Sequence, residues 1–364
     1  MAIHRFAGTL PRPVGAAAAR MATREGLLLH LVDDRGQVGQ GEASPLPGYS
    51  SDTLSECERA LRALRVEALP AMDLEAALGP QLGDLLQEAR LTAPAACFAF
   101  ETALLDLVGQ RLGRPLSRLL RAPRVSVPLS TVIDGASPEA LVRAARLASE
   151  RGIRTLKCKI GRPGGFEEEL AGLHAVRDAL GDTVALRLDA NQGFTPEEVR
   201  QRLGALAPLR PELVEEPIAG GLQCVSPERL AELAELVPLA ADEALQRAEA
   251  RAGLGPLLAT GRLRALILKP MALGGMGVCL RLAEEAARQD VALVVTHLWD
   301  GPVGLTAAAA LALALPGRVL ACGLDPHPGL AAWPAVELPG WGAATLTASE
   351  RPGLGLPLIS PPPA

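Results

Sequence analysis

Lysine is scarce in this sequence, and the positions where it occurs are the first indication of chemistry. Of the 36 basic residues only three are lysines, Lys157, Lys159 and Lys269, and the rest are arginines. A general preference for arginine explains the background. Lysine is expected where arginine cannot replace it, because an ammonium can lose its proton near neutral pH and a guanidinium effectively cannot. The three lysines are therefore candidate catalytic residues.

Acidic residues lie between the lysines at regular intervals. Asp189 follows Lys159 by 30 residues, Glu215 follows after 26, Asp242 after 27 and Lys269 after another 27. Each interval is about one strand-loop-helix unit, so neighbouring strands of a barrel would bring these side chains to one mouth. Three carboxylates in one place repel one another unless a cation holds them. Oxygen ligands without His or Cys favour Mg²⁺, with Mn²⁺ as a substitute.

A lysine beside such an ion could act as a base, with the metal stabilising the enediolate left when a proton leaves the carbon next to a carboxylate. Each of these residues could also have a role unrelated to catalysis. Asp189 and Asp242 could cap helices, and Lys269 could be a surface lysine. The ordered set of five, one barrel unit apart, favours the catalytic interpretation.

The elements that would position these residues are visible from about residue 125 onward. Short apolar runs alternate there with helical stretches rich in Arg, Glu and Ala. The eight strand candidates are residues 125–133, 155–160, 184–190, 212–217, 238–244, 265–270, 293–298 and 318–324. Such alternation indicates a parallel sheet, and eight units favour a closed barrel.

The preceding part of the chain has a different pattern. Residues 26–42 predict a β-hairpin, a Pro/Gly-rich loop follows, and helices are predicted from Asp52 to about Ala63 and from about Ala95 to Gln110. We expect an α+β unit over residues 1–122, a barrel over 123–324 and a C-terminal segment, 325–364, that returns to pack on the first unit.

Composition excludes several functions. The net charge of −5 has no long run of one sign, which argues against a nucleic-acid surface. No signal core or membrane-length apolar stretch is evident, and the run Thr306–Leu315 suits a buried helix. The six cysteines (57, 97, 158, 224, 279 and 322) lack metal-finger spacing and are expected to be reduced and buried, as in a cytoplasmic protein. The expected partner is a small carboxylate substrate, and a homo-oligomer is compatible with the sequence.

At these residues the chain resembles a known family. The stretches Lys157-Cys158-Lys159, Asp189-Ala-Asn191, Val214-Glu215-Glu216-Pro217, Asp242-Glu243 and Leu268-Lys269-Pro270 are similar to successive motifs of the muconate-lactonizing subgroup of the enolase superfamily. The resemblance implies a modified TIM barrel, (β/α)7β, with an α+β capping domain, and a lysine base with magnesium.

The resemblance also implies roles for individual residues. It assigns magnesium binding to Asp189, Glu215 and Asp242, and it places Lys159 and Lys269 beside the substrate. Lys157 would lie behind Lys159 and lower its pKa. The supporting residues are expected to be Asn191 and Glu243 beside the metal ligands, with Glu216 either beside them or purely structural.

Two further segments bear on the substrate. Residues 41–54, GEASPLPGYSSDTL, are similar to the loop that covers the substrate in o-succinylbenzoate synthases of menaquinone biosynthesis, so Leu46 and Tyr49 would form an apolar lid with Gly48 supplying flexibility. Residues 323–325, Gly-Leu-Asp, also resemble those synthases. Dipeptide epimerases of the subgroup carry Asp-x-Asp here to hold the substrate amino group. The substrate-binding candidates are Leu46, Tyr49, Thr131, Thr296 and Gly323.

One departure from the synthase pattern follows the seventh strand. This chain has Thr296-His297-Leu298-Trp299-Asp300-Gly301, where the synthases have small serines and a Glu. His297 is expected to be a structural histidine or, if it faces the mouth, a sign of a different substrate. The roles of His297 and Asp300 stay open at this point. The other histidines (4, 30, 174 and 327) show no ligand pattern.

The sequence therefore predicts a dehydratase, a carbon–oxygen lyase that forms o-succinylbenzoate from 2-succinyl-6-hydroxy-2,4-cyclohexadiene-1-carboxylate by syn elimination of water. Lys159 would remove the proton and return it to the departing hydroxide, and Lys269 would place positive charge over the ring. One alternative is a dipeptide epimerase or N-acylamino acid racemase with two opposed lysine bases. The other is a barrel that has lost catalysis.

Overall fold

The computed structural model describes residues 1–14, 21–64, 92–246 and 254–360. The strands are β1 Ala2–Val14, β2 Met21–Val32, β3 Val38–Ala43, β4 Ser126–Pro128, β5 Ser130–Val132, β6 Thr155–Lys159, β7 Ala185–Asp189, β8 Leu213–Glu215, β9 Leu239–Ala241, β10 Leu263–Leu268, β11 Ala292–Val295 and β12 Thr345–Thr347. The helices are α1 Leu54–Ala63, α2 Pro94–Leu112, α3 Leu116–Leu119, α4 Pro138–Glu150, α5 Phe166–Leu180, α6 Val199–Leu206, α7 Pro227–Leu236, α8 Leu254–Ala259, α9 Pro270–Leu273, α10 Met276–Arg288 and α11 Pro302–Ala314.

A three-stranded antiparallel sheet and two helices form the N-terminal part of the described chain. The sheet has the order β1-β2-β3, and its β2–β3 hairpin matches the predicted one. The strand β1 was not foreseen. The helix α2 packs against β3, where a Cβ on Gly39 would lie 2.0 Å from the Ala103 carbonyl oxygen and one on Gly41 would lie 1.8 Å from that of Ala99. These two glycines therefore allow the helix backbone to approach the strand closely.

Seven parallel strands, in the order β5 to β11, form the second sheet. The eighth strand candidate closes it, because the backbone of residues 319–323 bonds to both edges of the sheet. Leu320 N donates to Leu293 O on β11 at 2.9 Å, and Ser130 N on β5 donates to Cys322 O at 2.8 Å. The result is a closed ring with helices outside it, and this confirms the predicted modified TIM barrel with an α+β cap.

The first barrel strand candidate, residues 125–133, is divided in the structure. Only β5 belongs to the ring, whereas β4 pairs antiparallel with β12 from the C-terminal segment. The change of partner falls at Leu129, whose N donates to Ala344 O at 2.9 Å. An apolar run by itself does not reveal that two neighbouring segments have different partners.

The C-terminal segment returns to the N-terminal part, as predicted. Leu354 N donates to a carboxylate oxygen of Asp106 on α2 at 2.8 Å, and Ile359 N donates to the side-chain oxygen of Gln40 on β3 at 2.7 Å. The proposed boundaries at residues 122 and 324 stay a prediction.

The core agrees with the composition in most respects. Every residue of α11 is buried, so the run Thr306–Leu315 is an internal helix as predicted. Within the described residues no helix is long and apolar enough to cross a membrane. None of the six cysteines, all of which are among the described residues, forms a disulfide, and four are buried, but Cys224 is exposed, so the expectation of six buried thiols was wrong. Cys224 ends a short 3₁₀ turn in a connection between barrel units, in which Leu222 is the buried residue.

Candidate active site

The site residues lie on the strand positions that face the inside of the ring. Along β8 to β11 the inner side chains Leu213, Ala240, Ala265, Ile267, Ala292 and Val294 form a cluster of their own. Two residues further along each of β8, β9 and β10, on the same face, come Glu215, Asp242 and Lys269. The strands therefore place an apolar layer beneath a polar mouth at their carboxyl ends.

Three carboxylates converge at this mouth. Asp189, Glu215 and Asp242 are buried, and each offers an oxygen within 4.8 Å of the others. Burial raises the pKa of Glu215, and the neighbouring acids raise it further, although Lys157 opposes this effect. Three buried carboxylates so close together fit a divalent cation with oxygen ligands. The prediction that these residues come together is confirmed.

Lys157 lies against this triad. Its Nζ is 2.5 Å from an oxygen of Glu215 and 2.9 Å from one of Asp189. Burial by itself would lower the pKa of Lys157, but the surrounding carboxylates raise it overall. The sequence argument did not foresee these ion pairs. The predicted effect of Lys157 on the pKa of Lys159 stays a prediction.

Lys269 lies on the opposite side of the ring from Lys157 and is buried. The alternative that it is an ordinary surface lysine was therefore wrong. Its Nζ is 2.5 Å from an oxygen of Asp242 and donates to the hydroxyl of Tyr49 at 2.8 Å. The Tyr49 hydroxyl in turn donates to the other Asp242 oxygen at 2.7 Å. Burial, and then the Asp242 charge, raise the pKa of Tyr49 well above its ordinary value. Tyr49 therefore remains a neutral phenol.

These contacts correct the expected role of the covering loop. Tyr49 was predicted to be apolar lining, but its hydroxyl reaches two polar site residues. The loop bends at Gly48, where φ is +80°, and Ser50 N donates to Leu46 O at 2.8 Å. Leu46 and Gly48 are thus parts of a tight turn that carries Tyr49 into the mouth.

Lys159 is the exposed lysine of the site. Its Nζ donates to the side-chain oxygen of Asn191 at 3.1 Å, and Asn191 Nδ2 donates to Glu243 at 3.0 Å. Burial, and then Asp242, raise the pKa of Glu243 to about 8. The backbone of Asn191 also donates to Asp189 at 3.1 Å. Asn191 therefore connects Lys159 with the metal-ligand candidate Asp189, and its predicted supporting role stays a prediction.

Glu216 is structural. Its carboxylate accepts hydrogen bonds from the backbone N–H groups of Leu222, Asp242 and Ala244, at 2.8–2.9 Å. It therefore fixes the start of the turn that carries Asp242. Asn191 and Glu216 both have positive φ, 43° and 37°, so two non-glycine residues beside the site have strained backbones.

The end of the eighth strand offers the mouth no carboxylate. A Cβ on Gly323 would lie 2.6 Å from Thr296 Oγ1, and that hydroxyl donates to Gly323 O at 3.0 Å. Asp325 forms a two-point ion pair with Arg151, at 2.5 and 3.0 Å. Thr131 is half-buried on β5 beside Leu156 of β6. The substrate contacts of Thr131, Thr296 and Gly323 stay predictions.

A buried arginine links the covering loop to the loop after β11, and sequence reasoning missed it. Arg24, on β2, is 1% exposed. Its guanidinium donates to the backbone carbonyls of Ser44 and Pro45 in the covering loop, and to those of Leu298 and Trp299 after β11. Charged residues are rarely so buried without a specific role. In the sequence Arg24 lies between Thr23 and Glu25, ahead of the predicted hairpin, so no pattern singles it out.

The site geometry thus defines a barrel enzyme with a carboxylate centre between two lysines. Comparison with known proteins agrees. Residues 139–359 match the family described as "Enolase C-terminal domain-like", and residues 1–80 match "MenC, N-terminal domain". The first match covers more than half of the chain, so the protein belongs to the enolase superfamily.

Some of the individual relatives are named epimerases, and another is named an o-succinylbenzoate synthase. The L-Lys-D/L-Arg epimerase of Methylococcus capsulatus is 30% identical over 351 residues, 95% of each chain. The o-succinylbenzoate synthase of Thermobifida fusca is 35% identical over 206 residues, 55% of this chain and 60% of that protein. A solved structure of the dipeptide epimerase from Methylococcus capsulatus, complexed with Mg and L-Arg-D-Lys, has a TM-score of 0.81, 27% identity and coverage of 98% of both chains. Most of the similar proteins are named epimerases, which favours the alternative over the dehydratase.

Proposed function

We propose that this protein binds Mg²⁺ through Asp189, Glu215 and Asp242 and removes a proton from the carbon next to a substrate carboxylate. The triad of buried oxygens fits the ion, and Mn²⁺ could replace it. When bound, the ion supplies a Lewis acid that stabilises negative charge developing on the substrate carboxylate. These features weigh against a non-catalytic barrel.

In our proposal the two lysines act on opposite faces of one substrate. β6 and β10 are four positions apart in a ring of eight, so Lys159 and Lys269 approach the mouth from opposite sides. Lys159, exposed and held by Asn191, is the base in our proposal. Lys269, buried and bonded to Asp242 and Tyr49, provides positive charge in this proposal.

For the reaction itself we propose the dehydration that forms o-succinylbenzoate from the cyclohexadiene acid. In this scheme Lys159 takes the proton and then returns it to the departing hydroxide as water leaves. The observation that carries this choice is the end of the eighth strand. Gly323 has no side chain, and Asp325 is paired with Arg151, so neither offers a carboxylate to a substrate ammonium group. The match to the MenC N-terminal domain also supports this choice.

The second candidate is epimerisation of a dipeptide or racemisation of an N-acylamino acid. The names of most relatives favour it. Lys159 and Lys269 would then both exchange protons with one carbon, one from each face. In our proposal the residues that discriminate between the two reactions lie at the end of the eighth strand, Gly323 and Asp325.

The deciding experiment is turnover of the cyclohexadiene acid by the purified protein with Mg²⁺ and then with EDTA, followed by loss of the diene absorbance. Metal-dependent loss is expected. If Mg²⁺ binds but no diene is consumed, dehydration is excluded. Deuterium exchange from D₂O into a panel of dipeptides and N-succinylamino acids then tests the second candidate. No exchange with any of them would leave only the non-catalytic barrel.

A further inference from the structure

The loop after β11 holds His297 in one orientation at the mouth. Trp299 N donates to His297 Nδ1 at 3.0 Å. The imidazole also stacks on His327, with ring centroids 4.0 Å apart and an interplanar angle of 31°. Its backbone neighbour Thr296 pairs with Gly323 across the last gap of the ring. His297 therefore lies beside the end of the eighth strand.

The backbone that fixes this orientation is strained. Trp299 has a φ of 59°, in the left-handed region that a tryptophan rarely adopts. Its N–H points back to His297, while its C=O accepts from Arg24 Nε at 2.9 Å. Leu298 N is held by Asp300 at 3.0 Å. Strain that is held by several specific contacts is a common sign of a functional site.

The Trp299 contact determines where the imidazole carries its proton. Nδ1 accepts a hydrogen bond, so in the neutral ring the proton is on Nε2. Burial lowers the pKa of His297 well below its ordinary value, and the charges that face it, His327, Lys269, Lys157 and Arg24, lower it further. The ring is therefore neutral. Nε2 has no hydrogen-bond partner among the residues that the structure describes.

We infer that His297 donates its Nε2–H to a second carboxylate of the substrate, remote from the one at the metal centre. His297 thereby selects a dicarboxylic acid over a dipeptide with a free ammonium group. An ammonium group has no lone pair to accept this hydrogen bond, and the nearby lysines repel it. Arg24 cannot compete for the carboxylate, because its donors are directed to backbone carbonyls. The inference rests on the proposed function and specifies its substrate class.

The proton position can be tested without any substrate. In ¹⁵N-histidine-labelled protein, long-range ¹H–¹⁵N spectra should show one neutral imidazole protonated on Nε2 across pH 6–8, and this signal should be missing in His297→Gln. A His297 signal with the proton on Nδ1, or an imidazolium, would overturn the inference whatever the enzyme catalyses.

Binding supplies the second test, with titration calorimetry of o-succinylbenzoate into the Mg²⁺-loaded protein. His297→Leu should weaken binding about tenfold or more, since a hydrogen bond to a charged group is lost. His297→Gln, which keeps an N–H donor, should recover part of that affinity. His174→Gln, on the exposed face of α5, is the matched control and should bind like the wild type. In turnover, His297→Leu should raise KM more than it lowers kcat.

The outcomes separate this inference from the proposed function. If the wild type binds and dehydrates its substrate and His297→Leu binds equally well, the inference fails alone. If the wild type neither binds o-succinylbenzoate nor consumes the diene, the dehydration fails. The same variants are then titrated with N-succinylphenylalanine, which has two carboxylates, and with L-Leu-L-Tyr, a dipeptide with one carboxylate and a free ammonium group. Weaker binding of the former in His297→Leu would retain the inference for a dicarboxylic substrate, and preferred binding of the dipeptide would reject it.

Discussion

The three lysines of the site have different surroundings, and this difference supports the separate roles proposed for them. Lys157 and Lys269 are ion-paired with the buried carboxylates, whereas Lys159 is exposed and has an amide oxygen as its partner. The scarcity of lysine in the sequence was enough to find all three. Their pairing could not be predicted, because it depends on which carboxylate each ammonium reaches across the ring.

For a single residue, we expect Lys159→Arg to lower kcat by about 100- to 10,000-fold, because a guanidinium cannot act as a base near neutral pH. The fold should persist, since the side chain is exposed. Turnover of whichever substrate is established is the measurement, with circular dichroism as a check of folding. Arg154→Lys, an exposed change next to β6, is the matched control. Turnover close to the wild-type rate in Lys159→Arg would refute the assignment.

Tyr49 shows that the type of a residue does not by itself predict what its side chain contacts. Its place in a loop rich in Pro and Gly suggested apolar lining, and the resemblance to the covering loop of the synthases reinforced that. In the structure, however, its hydroxyl bonds to Lys269 and Asp242. Sequence pattern alone could not show which way the ring points.

At the scale of elements, the two-residue period of strands explains most of the site. In β6, β7, β8 and β10 an inward-facing residue precedes the functional one by two positions, as Ile267 precedes Lys269. The regular spacing of about 27 residues was therefore sufficient to predict that the strand ends converge. Hydrogen bonds that cross between segments distant in sequence, such as those of Arg24, leave no periodic signal.

Arg24 should keep the covering loop closed. Arg24→Lys replaces a planar fork by a single ammonium that cannot bond to both loops. We expect chymotrypsin to cleave after Tyr49, the one tyrosine of the chain, about tenfold faster or more, because hydrogen bonds of charged groups contribute about 1.5–3 kcal/mol each. Arg5→Lys, on the exposed surface of β1, is the control. Equal cleavage rates would show that Arg24 does not hold the loop.

Two carboxylates of the N-terminal part cap helices of the barrel. Glu42 on β3 accepts from Gly301 N at 2.6 Å and Gly304 N at 2.9 Å, at the start of α11. Glu101 on α2 accepts from the N–H groups of Met276 and Gly277 at the start of α10. Helix N-termini favour acceptors with negative charge. The cap is therefore joined to the barrel at two successive helices.

Glu101 gives a dependence on pH. Burial raises its pKa from 4.5 to about 7, although the backbone donors Gly277 and Met276 oppose the rise. Between about pH 4.5 and 7 the folded protein holds this proton more tightly than the unfolded chain does. The stability that this group contributes therefore falls as pH rises through that window, by at most about 3 kcal/mol.

The measurement is urea unfolding across that pH range for the wild type and Glu101→Gln, whose side chain cannot titrate. The free energy of unfolding of the wild type, minus that of the variant, should fall from pH 4.5 to 7. Glu285→Gln, the same change on the exposed face of α10, should give a flat difference. A flat difference for Glu101→Gln as well would mean that Glu101 keeps an ordinary pKa.

At the scale of the whole molecule, the carboxylate centre joins three neighbouring strands of the ring, β7, β8 and β9. An ion bound there should stabilise the folded state by mass action, since the unfolded chain does not hold the three oxygens together. The closed ring and its cap were predictable from alternating strands and helices. The division of the first strand candidate between two sheets was not, because both halves are short and apolar.

We expect millimolar Mg²⁺ to raise Tm by a few degrees and EDTA to reverse the rise, with activity lost in parallel. Glu215→Gln should remove the rise, because it takes one charge from the triad. Glu235→Gln, on the exposed side of α7, should keep it. Thermal scans that show the same rise in Glu215→Gln would place the ion elsewhere.

The distribution of lysine also affects how the protein reacts with amine reagents. Apart from the N-terminus, the chain has three primary amines, and two of them are buried in ion pairs. The side-chain amine left open to solvent is that of Lys159, the proposed base. An activated ester used to attach a dye, or a resin that couples through lysine, would therefore modify the proposed base, and the extent of labelling at Lys159 would count the open active sites.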